Sequence, residues 1–386
     1  MAFCVETVLR RVSSNSIRKL STVVEPVRFN EEPLQIFRTS ESNPANHTKE
    51  HLKRFYTIPP EEKQRLFQSG GFKKSFEVDI KTFAECAIMV RQPALEIISY
   101  LRQSNYTKPI NKYVVYGEHG CGKTVTLAHL LHYGLNTQHV LIHVPWVQNW
   151  FKYPKEYSNS LIREGLMDLP IDAATWLAQF RFQNKNLLPG LDITVSKHYT
   201  WSQRESTAKG SPIVDMVDFG INRIKFASEV IMTLMAELKQ ASIAGKCKMM
   251  VVIDGYNAFF ANHTRIKNEQ KKFVPANQVT LTHAFLDITR SDWNNGTVIV
   301  SVDKIAVKEP KESKLPRYLL QKEGFEHLDP FLPISVGNYD NEEFEMIIEY
   351  YKDRKWLRDI SPDGVREVQL LTAGNPLKIT EFCAGL

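Results

Sequence analysis

The sequence predicts an α/β fold in which helices flank a parallel β-sheet. A short apolar segment at residues 112–116, a helical segment at 124–132 and a second apolar segment at 139–144 follow one another, and such a strand–helix–strand unit joins parallel strands. Residues 248–254 and 296–301 are apolar almost throughout, as is typical of strands buried on both faces of a parallel sheet. Hydrophobic residues make up 43% of the 386 residues, which allows a large core and disfavours extensive disorder.

The remaining elements are placed around this sheet. Before it, apolar residues at spacings of three and four predict a helix over residues 83–101. Residues 146–210 are irregular apart from a short helix at 172–180, and we interpret them as an insertion on the sheet rather than a separate domain. The other predicted elements are a short helix that begins at Pro60, a helix C-cap at Gly134, helices at 219–245, 281–290, 341–356 and 362–386, and a possible fifth strand at 330–336.

The length suggests two or three domains, and composition divides the chain into residues 1–20, 21–75, 76–337 and 338–386. Residues 1–20 are basic, serine-rich, poor in acids and amphipathic, which favours a mitochondrial transit peptide over the alternative of a disordered basic tail. Residues 21–75 are polar, so we expect an extended N-terminal segment with little core of its own that lies along a partner surface. Residues 76–337 are expected to hold the sheet, and 338–386 a C-terminal set of helices.

A glycine-rich loop lies between the first strand and the first helix of the sheet. Gly117, Gly122, Lys123 and Thr124 fulfil the Gly-x-x-x-x-Gly-Lys-Thr pattern of a P-loop. The glycines allow the backbone to curl so that its N–H groups point at phosphate oxygens, and the helix N-terminus adds positive potential. In this pattern the lysine reaches the β- and γ-phosphates and the threonine hydroxyl binds Mg²⁺. The sequence therefore predicts a site for a purine nucleoside triphosphate with Mg²⁺.

The strand that ends at Asp254 supplies an acid to this site. Such an acid organises the magnesium ion in P-loop proteins, so Thr124 and Asp254 are the predicted metal residues; the alternative is an aspartate that only begins a turn. NTP-hydrolysing machines commonly follow it with a second acid that polarises water, whereas Gly255 stands here, so we expect slow hydrolysis or none. Candidates for a weaker, sensor-like polar role, or else solvent-exposed strand-end residues, are Asn257, Ser301 and Asp303.

The base is expected to lie against the segment before the first strand and the C-terminal helices. A guanine-specificity motif of the TKxD type does not stand in the position that small GTPases use, and the residues themselves leave GTP and ATP open. The predicted nucleotide-binding residues are Met89, Arg91, Gly117, Glu118, His119, Gly120, Cys121, Gly122, Lys123, Thr124 and Val125.

Charge and cysteine usage constrain the partners only weakly. The net charge of +6 permits contact with nucleic acid but does not demand it. The candidates for phosphate contacts, each of which is otherwise a solvated surface charge, are Lys53, Arg54, Lys73, Lys74, Lys267, Lys271 and Lys272. The five cysteines lack a CxxC spacing, which disfavours a disulfide framework or a zinc site and fits a reducing compartment. No segment is long and apolar enough to predict a transmembrane helix.

Several motifs go beyond a generic P-loop. They lie at residues 81–96, 116–124, 204–212, 253–258, 322–325, 328–331, 335–339 and 373–376. In this order they closely resemble the death-associated protein three family, the P-loop proteins of the small subunit of the mitochondrial ribosome. The resemblance covers about residues 40–386, which is nearly the whole chain.

The resemblance implies a P-loop NTPase fold that is AAA+-like, with a C-terminal helical lid. It implies residence in the mitochondrial matrix, in the head of the small ribosomal subunit, with contacts to ribosomal RNA and neighbouring proteins, GTP or GDP as ligand, and a link to apoptosis in animals. By position, Asp254 matches the Walker B acid and residues 374–376 the lid turn, which adds Asn375 to the candidate nucleotide-binding residues. No homo-oligomer is expected.

Three functions from different classes remain to be weighed. The first is a structural ribosomal protein that uses bound nucleotide for folding and docking; the basic leader, the polar extension, Gly255 and the resemblance favour it. The second is an NTP-hydrolysing switch or motor, for which Arg290 is the one placed candidate for an arginine finger, although a surface arginine is the simpler interpretation. The third is an apoptotic adaptor outside the ribosome, which only the resemblance supports.

Overall fold

The structure is a computed structural model that describes residues 36–309, 312–358 and 360–384. The predicted transit peptide at residues 1–20 therefore lies outside the described residues. Within the described part, none of the helices is long and apolar enough to cross a membrane. The cysteines in this part are Cys86, Cys121, Cys247 and Cys383, all of them buried and free.

Seven strands and thirteen α-helices in the described residues carry the argument that follows. The strands are β1 (Phe55–Ile58), β2 (Cys86–Met89), β3 (Asn111–Tyr116), β4 (Val140–Val144), β5 (Met249–Ile253), β6 (Gly296–Ser301) and β7 (Leu332–Ser335). The helices are α1 (Pro60–Phe67), α2 (Lys74–Phe83), α3 (Gln92–Gln103), α4 (Lys123–Asn136), α5 (Gln148–Lys152), α6 (Pro170–Gln183), α7 (Ile213–Asn222), α8 (Ala227–Ile243), α9 (Thr280–Ile288), α10 (Pro316–Leu328), α11 (Asn341–Asp353), α12 (Pro362–Thr372) and α13 (Pro376–Cys383).

Five of the strands form the parallel sheet that the sequence predicts. Their order across the sheet is β7, β3, β6, β5, β4, and every neighbouring pair is parallel. The fifth predicted strand is real and lies at the edge beside β3. Because parallel strands end at the same edge of a sheet, the loops after β3, β5 and β6 meet there. The fold class is therefore confirmed as an α/β fold with helices on both faces of a parallel sheet.

Side chains alternate between two cores along the sheet. On one face Val251 and Val298 pack with α6, α7, α8 and α9, and on the other Val252 and Ile299 pack with α1, α3 and α4. The predicted insertion belongs to the first core, because Trp150, Trp176 and Trp201 are buried in it. The interpretation of residues 146–210 as an insertion on the sheet is therefore consistent with the packing.

The predicted helix over residues 83–101 is wrong in its first half. Ala84 has a left-handed conformation (φ 54°) that ends α2, and Cys86–Met89 then forms β2, which pairs antiparallel with β1. All four residues of β2 are buried. A continuous apolar run fits a helix face and a buried strand equally well, so periodicity could not distinguish the two. The helix itself begins only at Gln92.

The expectation that residues 21–75 have little core of their own is also wrong for their second half. Tyr56, Ile58 and Leu66 are each only 1% exposed and lie in the same core as the P-loop helix α4. His132 of that helix pairs with Glu62 of α1. Strand β1 therefore packs on the body of its own chain. The apolar residues of this segment are few and stand in a polar context, so the sequence did not reveal this packing.

Two helix boundaries also differ from prediction. Gly134 does not cap α4, which continues to Asn136; a Cβ atom there would lie 2.7 Å from Met250 Sδ and 2.9 Å from Leu141 Cδ2. Glycine at this position therefore serves close packing of the helix on the sheet. The predicted helix over 219–245 is two helices, α7 and α8, separated by a turn of 3₁₀ helix at Ile224–Phe226. The predicted helix over 362–386 is likewise broken, between α12 and α13.

Truncation of Ile58 tests the contribution of strand β1 to the core. We expect Ile58→Ala to lower the free energy of unfolding by about 2–5 kcal/mol, because it leaves a cavity beneath β2. Val78→Ala is the matched control, since Val78 is 51% exposed, and it should change stability by less than about 0.5 kcal/mol. Urea denaturation followed by circular dichroism measures both. Equal midpoints for the two variants would contradict the packing of β1.

Candidate nucleotide-binding site

The glycine-rich loop joins β3 to α4 at the carboxyl edge of the sheet. Gly120 (φ 82°) and Gly122 (φ 101°) have left-handed conformations that disfavour other residues. Gly117 is required for a different reason: a Cβ atom there would lie 2.1 Å from the carbonyl oxygen of Val336, which follows β7. The two conserved positions of the P-loop pattern, Gly117 and Gly122, thus have distinct steric causes in this chain.

Lys123 lies across the loop with its ammonium group buried. Its Nζ donates to the carbonyl oxygens of Gly117 (2.9 Å) and Glu118 (2.7 Å) and lies 3.0 Å from Asp303 Oδ2. Burial alone would raise the pKa of Asp303, but the His119 ring and the Lys123 ammonium outweigh it and lower that pKa to about 2. Asp303 is therefore a carboxylate at neutral pH and holds Lys123 in place under the loop.

Thr124 in the first turn of α4 forms a polar cluster with Asp254 and Ser301, which are buried at the ends of β5 and β6. Thr124 Oγ1 donates to Asp254 Oδ2 at 2.7 Å, and the Ser301 hydroxyl donates to the other carboxylate oxygen. Burial raises the pKa of Asp254 above its ordinary value, and Lys73 and the two hydroxyl groups offset only part of that rise. The structure thus brings together the two predicted metal residues, and a threonine hydroxyl beside a carboxylate is an oxygen pair that suits Mg²⁺.

Gly255 follows Asp254 with a left-handed conformation (φ 75°). A Cβ atom at this position would lie 2.9 Å from the ring of Trp146. A side chain here would therefore strain the backbone and collide with an aromatic ring. The sequence has glycine where a second acid would stand, and the packing shows that Trp146 occupies the space for a side chain.

The three candidates for a sensor-like role, Asn257, Ser301 and Asp303, differ in what their side chains contact. Asn257 exchanges hydrogen bonds with the backbone of Asp303: its Nδ2 donates to the carbonyl oxygen at 2.9 Å, and its Oδ1 accepts from the N–H at 3.1 Å. Asn257 therefore positions the chain after β6. Ser301 acts on Asp254, and its Oγ also accepts from the Gly255 N–H at 2.9 Å. Asp303 is the candidate whose side chain reaches the glycine loop.

Arg91 ties the loop to the C-terminal helices. Its guanidinium makes a two-pronged ion pair with Glu343 of α11 (2.8 and 2.9 Å) and donates to the carbonyl oxygen of Cys121 at 2.8 Å. It also donates to the carbonyl oxygens of Gly337 and Asn338 and lies over the ring of Tyr339. Sequence reasoning placed Arg91 beside the base; the structure shows that its nitrogens already hold protein partners.

The N-terminus of α13 covers the loop. Asn375 caps this helix, and its Nδ2 donates to the carbonyl oxygen of His119 at 3.0 Å. The Leu377 N–H donates to the carbonyl oxygen of Gly120 at 3.2 Å. A Cβ atom on Gly120 would lie 2.6 Å from Asn375 Oδ1, so the loop needs glycine here to admit the helix. The lid turn and the P-loop are therefore in direct contact.

A cavity of about 400 Å³ extends from the loop to an apolar end between β2 and the lid. Its size is that of an ordinary small-ligand site, which spans roughly 300–1,000 Å³. The predicted residues that line it are Met89, Arg91, His119, Gly120, Gly122, Lys123, Thr124, Val125 and Asp303. The predicted residues that lie behind it or beside it are Gly117, Glu118, Cys121, Asp254, Asn257, Ser301 and Asn375.

A second cavity, of about 480 Å³, lies beyond Thr124 and Asp254 on the side of Trp146. Lys73 lines both cavities, and its ammonium group lies 3.5 Å from the centroid of the Trp146 ring. Lys73 was predicted as a contact for RNA, but the structure places it beside the cluster of Thr124 and Asp254. The sequence around Lys73 does not predict this location, because only the tertiary fold brings Lys73 beside Thr124 and Asp254.

The other basic residues, which were candidates for RNA contacts or for an arginine finger, have different surroundings. Lys53 is paired with Asp340 (2.8 Å) and Glu342 (2.7 Å) at the start of α11. Arg290, the candidate arginine finger, is exposed, lies beside Asp287 and lines neither cavity. Lys267, Lys271 and Lys272 are exposed on one tight loop that the bridge between Lys267 and Phe273 closes. These three lysines therefore form an exposed basic loop that a partner can reach.

A pair of buried histidines also lies at the cavity, and sequence reasoning missed it. His47 Nε2 lies 3.0 Å from the carbonyl oxygen of Glu41, which can only accept, so Nε2 carries the hydrogen. Burial lowers the pKa of His47, so its Nδ1 is an acceptor and takes the hydrogen of His129 Nε2 at 2.9 Å. Burial also lowers the pKa of His129, whose Nδ1 is therefore an acceptor without a protein partner among the described residues.

The parallel sheet, the glycine loop at the end of its first strand, and the threonine–aspartate pair beneath that loop define a P-loop protein of the AAA+-like type. The chain belongs to the family of the mitochondrial ribosomal death-associated protein 3, whose family model matches residues 88–381. It is 34% identical to the small ribosomal subunit protein mS29 of Mus musculus over 360 residues, which is 92% of this chain and 91% of that protein. It is 35% identical to the mS29 protein of Bos taurus over 355 residues, 91% of this chain and 88% of that protein.

Among solved structures, the chain is similar to the Walker-type ATPase paby2304 of Pyrococcus abyssi, with a TM-score of 0.38 and 12% sequence identity. The similarity covers 76% of this chain and 65% of that one. The fold class is defined by the order and direction of the strands in the sheet.

Removal of Glu343 tests the ion pair that joins the loop to the lid. We expect Glu343→Ala to lower the free energy of unfolding by about 3–5 kcal/mol, because it leaves the Arg91 guanidinium buried without a counter-charge. Glu349→Ala on the same helix is the control, since Glu349 makes a surface pair with Lys352 and should cost less than about 1 kcal/mol. Urea denaturation compares the two. A similar small loss for both variants would refute a structural role for the Arg91 pair.

Proposed function

We propose that the chain binds a guanine nucleotide, GTP or GDP, together with Mg²⁺, and keeps it as a structural ligand. We further propose that it serves as a component of the small subunit of the mitochondrial ribosome, in the matrix, in contact with ribosomal RNA and small-subunit proteins. In this role it supports mitochondrial translation as a binding protein, with weak GTPase activity or none.

The observation that carries the nucleotide proposal is the contact between Thr124, which lines the cavity, and Asp254, which lies behind it. When bound, a magnesium ion would be held by the Thr124 hydroxyl and the Asp254 carboxylate and would neutralise phosphate charge. Lys123 lies under the same loop, and the glycine conformations leave the loop open to phosphate oxygens. These groups fit a nucleoside di- or triphosphate, and ATP is the competitor that the measurement below distinguishes.

The site around Gly255 supports slow turnover. Hydrolysis needs a group that orients and deprotonates water beside the γ-phosphate. At the position where P-loop hydrolases place a second acid, this chain has a glycine beneath Trp146. The nearby cation, Lys73, cannot act as an acceptor for a water proton while it is charged.

Similarity to the two mS29 proteins supports the ribosomal role. Both are named as small ribosomal subunit proteins, and this chain matches about nine-tenths of each. The exposed basic loop with Lys267, Lys271 and Lys272 offers a surface for RNA phosphates. The alternative, an NTP-hydrolysing switch or motor, makes different predictions for turnover.

Nucleotide content is the experiment that tests the proposal. The purified chain is denatured, released nucleotide is identified by chromatography, and phosphate release is then followed with fresh GTP and ATP. We expect guanine nucleotide at about one per chain and negligible turnover. Rapid turnover would favour the switch or motor, and an empty protein that takes up neither nucleotide would overturn the proposal.

Lys123→Ala tests the phosphate end of the site. A ligand at 100 times its Kd stabilises the native state by about 2.7 kcal/mol, so GDP with Mg²⁺ should raise the melting temperature of the unaltered chain. Lys123→Ala should lose most of that rise, because the cation beneath the loop is gone. The ligand-dependent rise is compared rather than the melting temperature itself, since the variant also leaves Asp303 unpaired. Lys322→Ala, at a highly exposed lysine, should keep the full rise.

Neutralising the basic loop tests the RNA surface. We expect Lys267, Lys271 and Lys272 changed together to alanine to weaken binding to salt-washed small subunits and to flatten its dependence on salt, because fewer counterions are released. Co-sedimentation at several salt concentrations measures both.

Three exposed lysines on separate surfaces, Lys108, Lys209 and Lys322, provide the control with the same change in net charge. If this variant binds as weakly as the loop variant, net charge and not the loop determines binding, and the assigned surface is wrong.

A further inference from the structure

Helix α2 turns one face toward the cavity of the proposed nucleotide site. Phe76, Asp79, Ile80 and Phe83 follow the three- and four-residue spacing of a helix face, and all of them line the cavity. The face is apolar except for one carboxylate. The helix begins next to Lys73, at the phosphate end, and Asp79 lies about 9 Å further along its axis.

The Asp79 carboxylate has no partner from the protein within the described residues. Neither a hydrogen bond nor an ion pair reaches it there, and burial raises the pKa of Asp79 to about 6. The hydroxyls of Tyr351 and Thr380, which also line the cavity, are hydrogen-bonded to each other at 2.8 Å. A half-buried carboxylate without a partner is costly, and a ligand donor would relieve that cost.

The lining of the cavity holds one more acceptor without a protein partner among the described residues. His129 Nδ1 is a second unpartnered acceptor, since its tautomer is determined through His47 by the Glu41 carbonyl group. The Arg91 guanidinium is held by Glu343 and by backbone carbonyl oxygens. The unpartnered carboxylate of Asp79 therefore suits a ligand that presents N–H or O–H groups.

The edges of the two purines differ in this respect. Guanine presents two adjacent donors, N1–H and the 2-amino group, which match the two oxygens of a carboxylate. Adenine presents one amino group beside an N1 acceptor, which a carboxylate repels. We propose that Asp79 reads the N1–H and 2-amino edge of guanine and is the residue that makes this site select guanine over adenine nucleotides. This inference rests on the proposed nucleotide function.

The Asp79→Asn variant tests this assignment, because it should change which base the site prefers. An asparagine offers one acceptor and one donor, which match N1–H and the 2-keto group of xanthine, so the variant should exchange guanine for xanthine preference. We expect the affinity for GDP with Mg²⁺ to fall roughly ten- to a hundredfold and the affinity for xanthosine diphosphate to rise by a similar factor. Isothermal titration with GDP, xanthosine diphosphate and ADP measures all three. Glu77→Gln removes a charge from the same helix outside the cavity and should leave GDP binding unchanged.

A measurement on the unaltered chain keeps the test independent of any folding defect. Inosine diphosphate lacks only the 2-amino group, so it should bind about tenfold or more weakly than GDP. Two results would overturn the role of Asp79 while the nucleotide function stands. The first is equal affinity of the unaltered chain for GDP and inosine diphosphate. The second is a folded Asp79→Asn variant that still prefers GDP, or that loses GDP binding without gaining binding of xanthosine diphosphate. Failure of the unaltered chain to bind any of these nucleotides would instead remove the proposed function, and the assignment with it.

Discussion

The buried guanidinium of Arg91 is the interaction on which the arrangement of the site depends. It meets Glu343 from the lid, the carbonyl oxygen of Cys121 in the glycine loop, and two carbonyl oxygens that follow β7. Burial disfavours its charge, but the Glu343 carboxylate outweighs that cost, so the pKa of Arg91 is raised. Three segments that are distant in sequence are therefore held at one point, and the loop, the sheet edge and the lid act as one frame.

The same frame explains why nucleotide can serve as a structural ligand. The loop conformation depends on glycines that make room for Val336 and Asn375, and these contacts belong to the protein itself. Lys123 and Asp303 neutralise one another beneath the loop. A phosphate group would add to contacts that already exist, so binding would stabilise a prepared site. With Gly255 beneath Trp146, the proposed nucleotide site lacks space for the second acid that P-loop hydrolases commonly have.

Much of this architecture could be predicted from the sequence, and the failures have physical causes. The sheet and the position of the glycine loop were predictable because central parallel strands are uninterrupted apolar runs and because the P-loop pattern is local in sequence. Strand β2 was mistaken for a helix because a buried run such as Cys86–Met89 has no period of its own. Gly134 was mistaken for a cap because its true reason, the closeness of Met250, is a tertiary contact. Asp79 and Lys73 were beyond prediction, since only the packing of α2 brings them to the cavity.

The contact between α13 and the glycine loop has a consequence for the order of assembly. The Leu377 N–H bonds to Gly120, so a helix that ends at Cys383 completes a loop located more than two hundred residues earlier. During synthesis, or during passage of the chain through a membrane with its N-terminus first, the sheet strands become available before that helix does. The helix that covers the pocket is therefore the last of these elements to become available, so the pocket can close only after residues 376–383 are present.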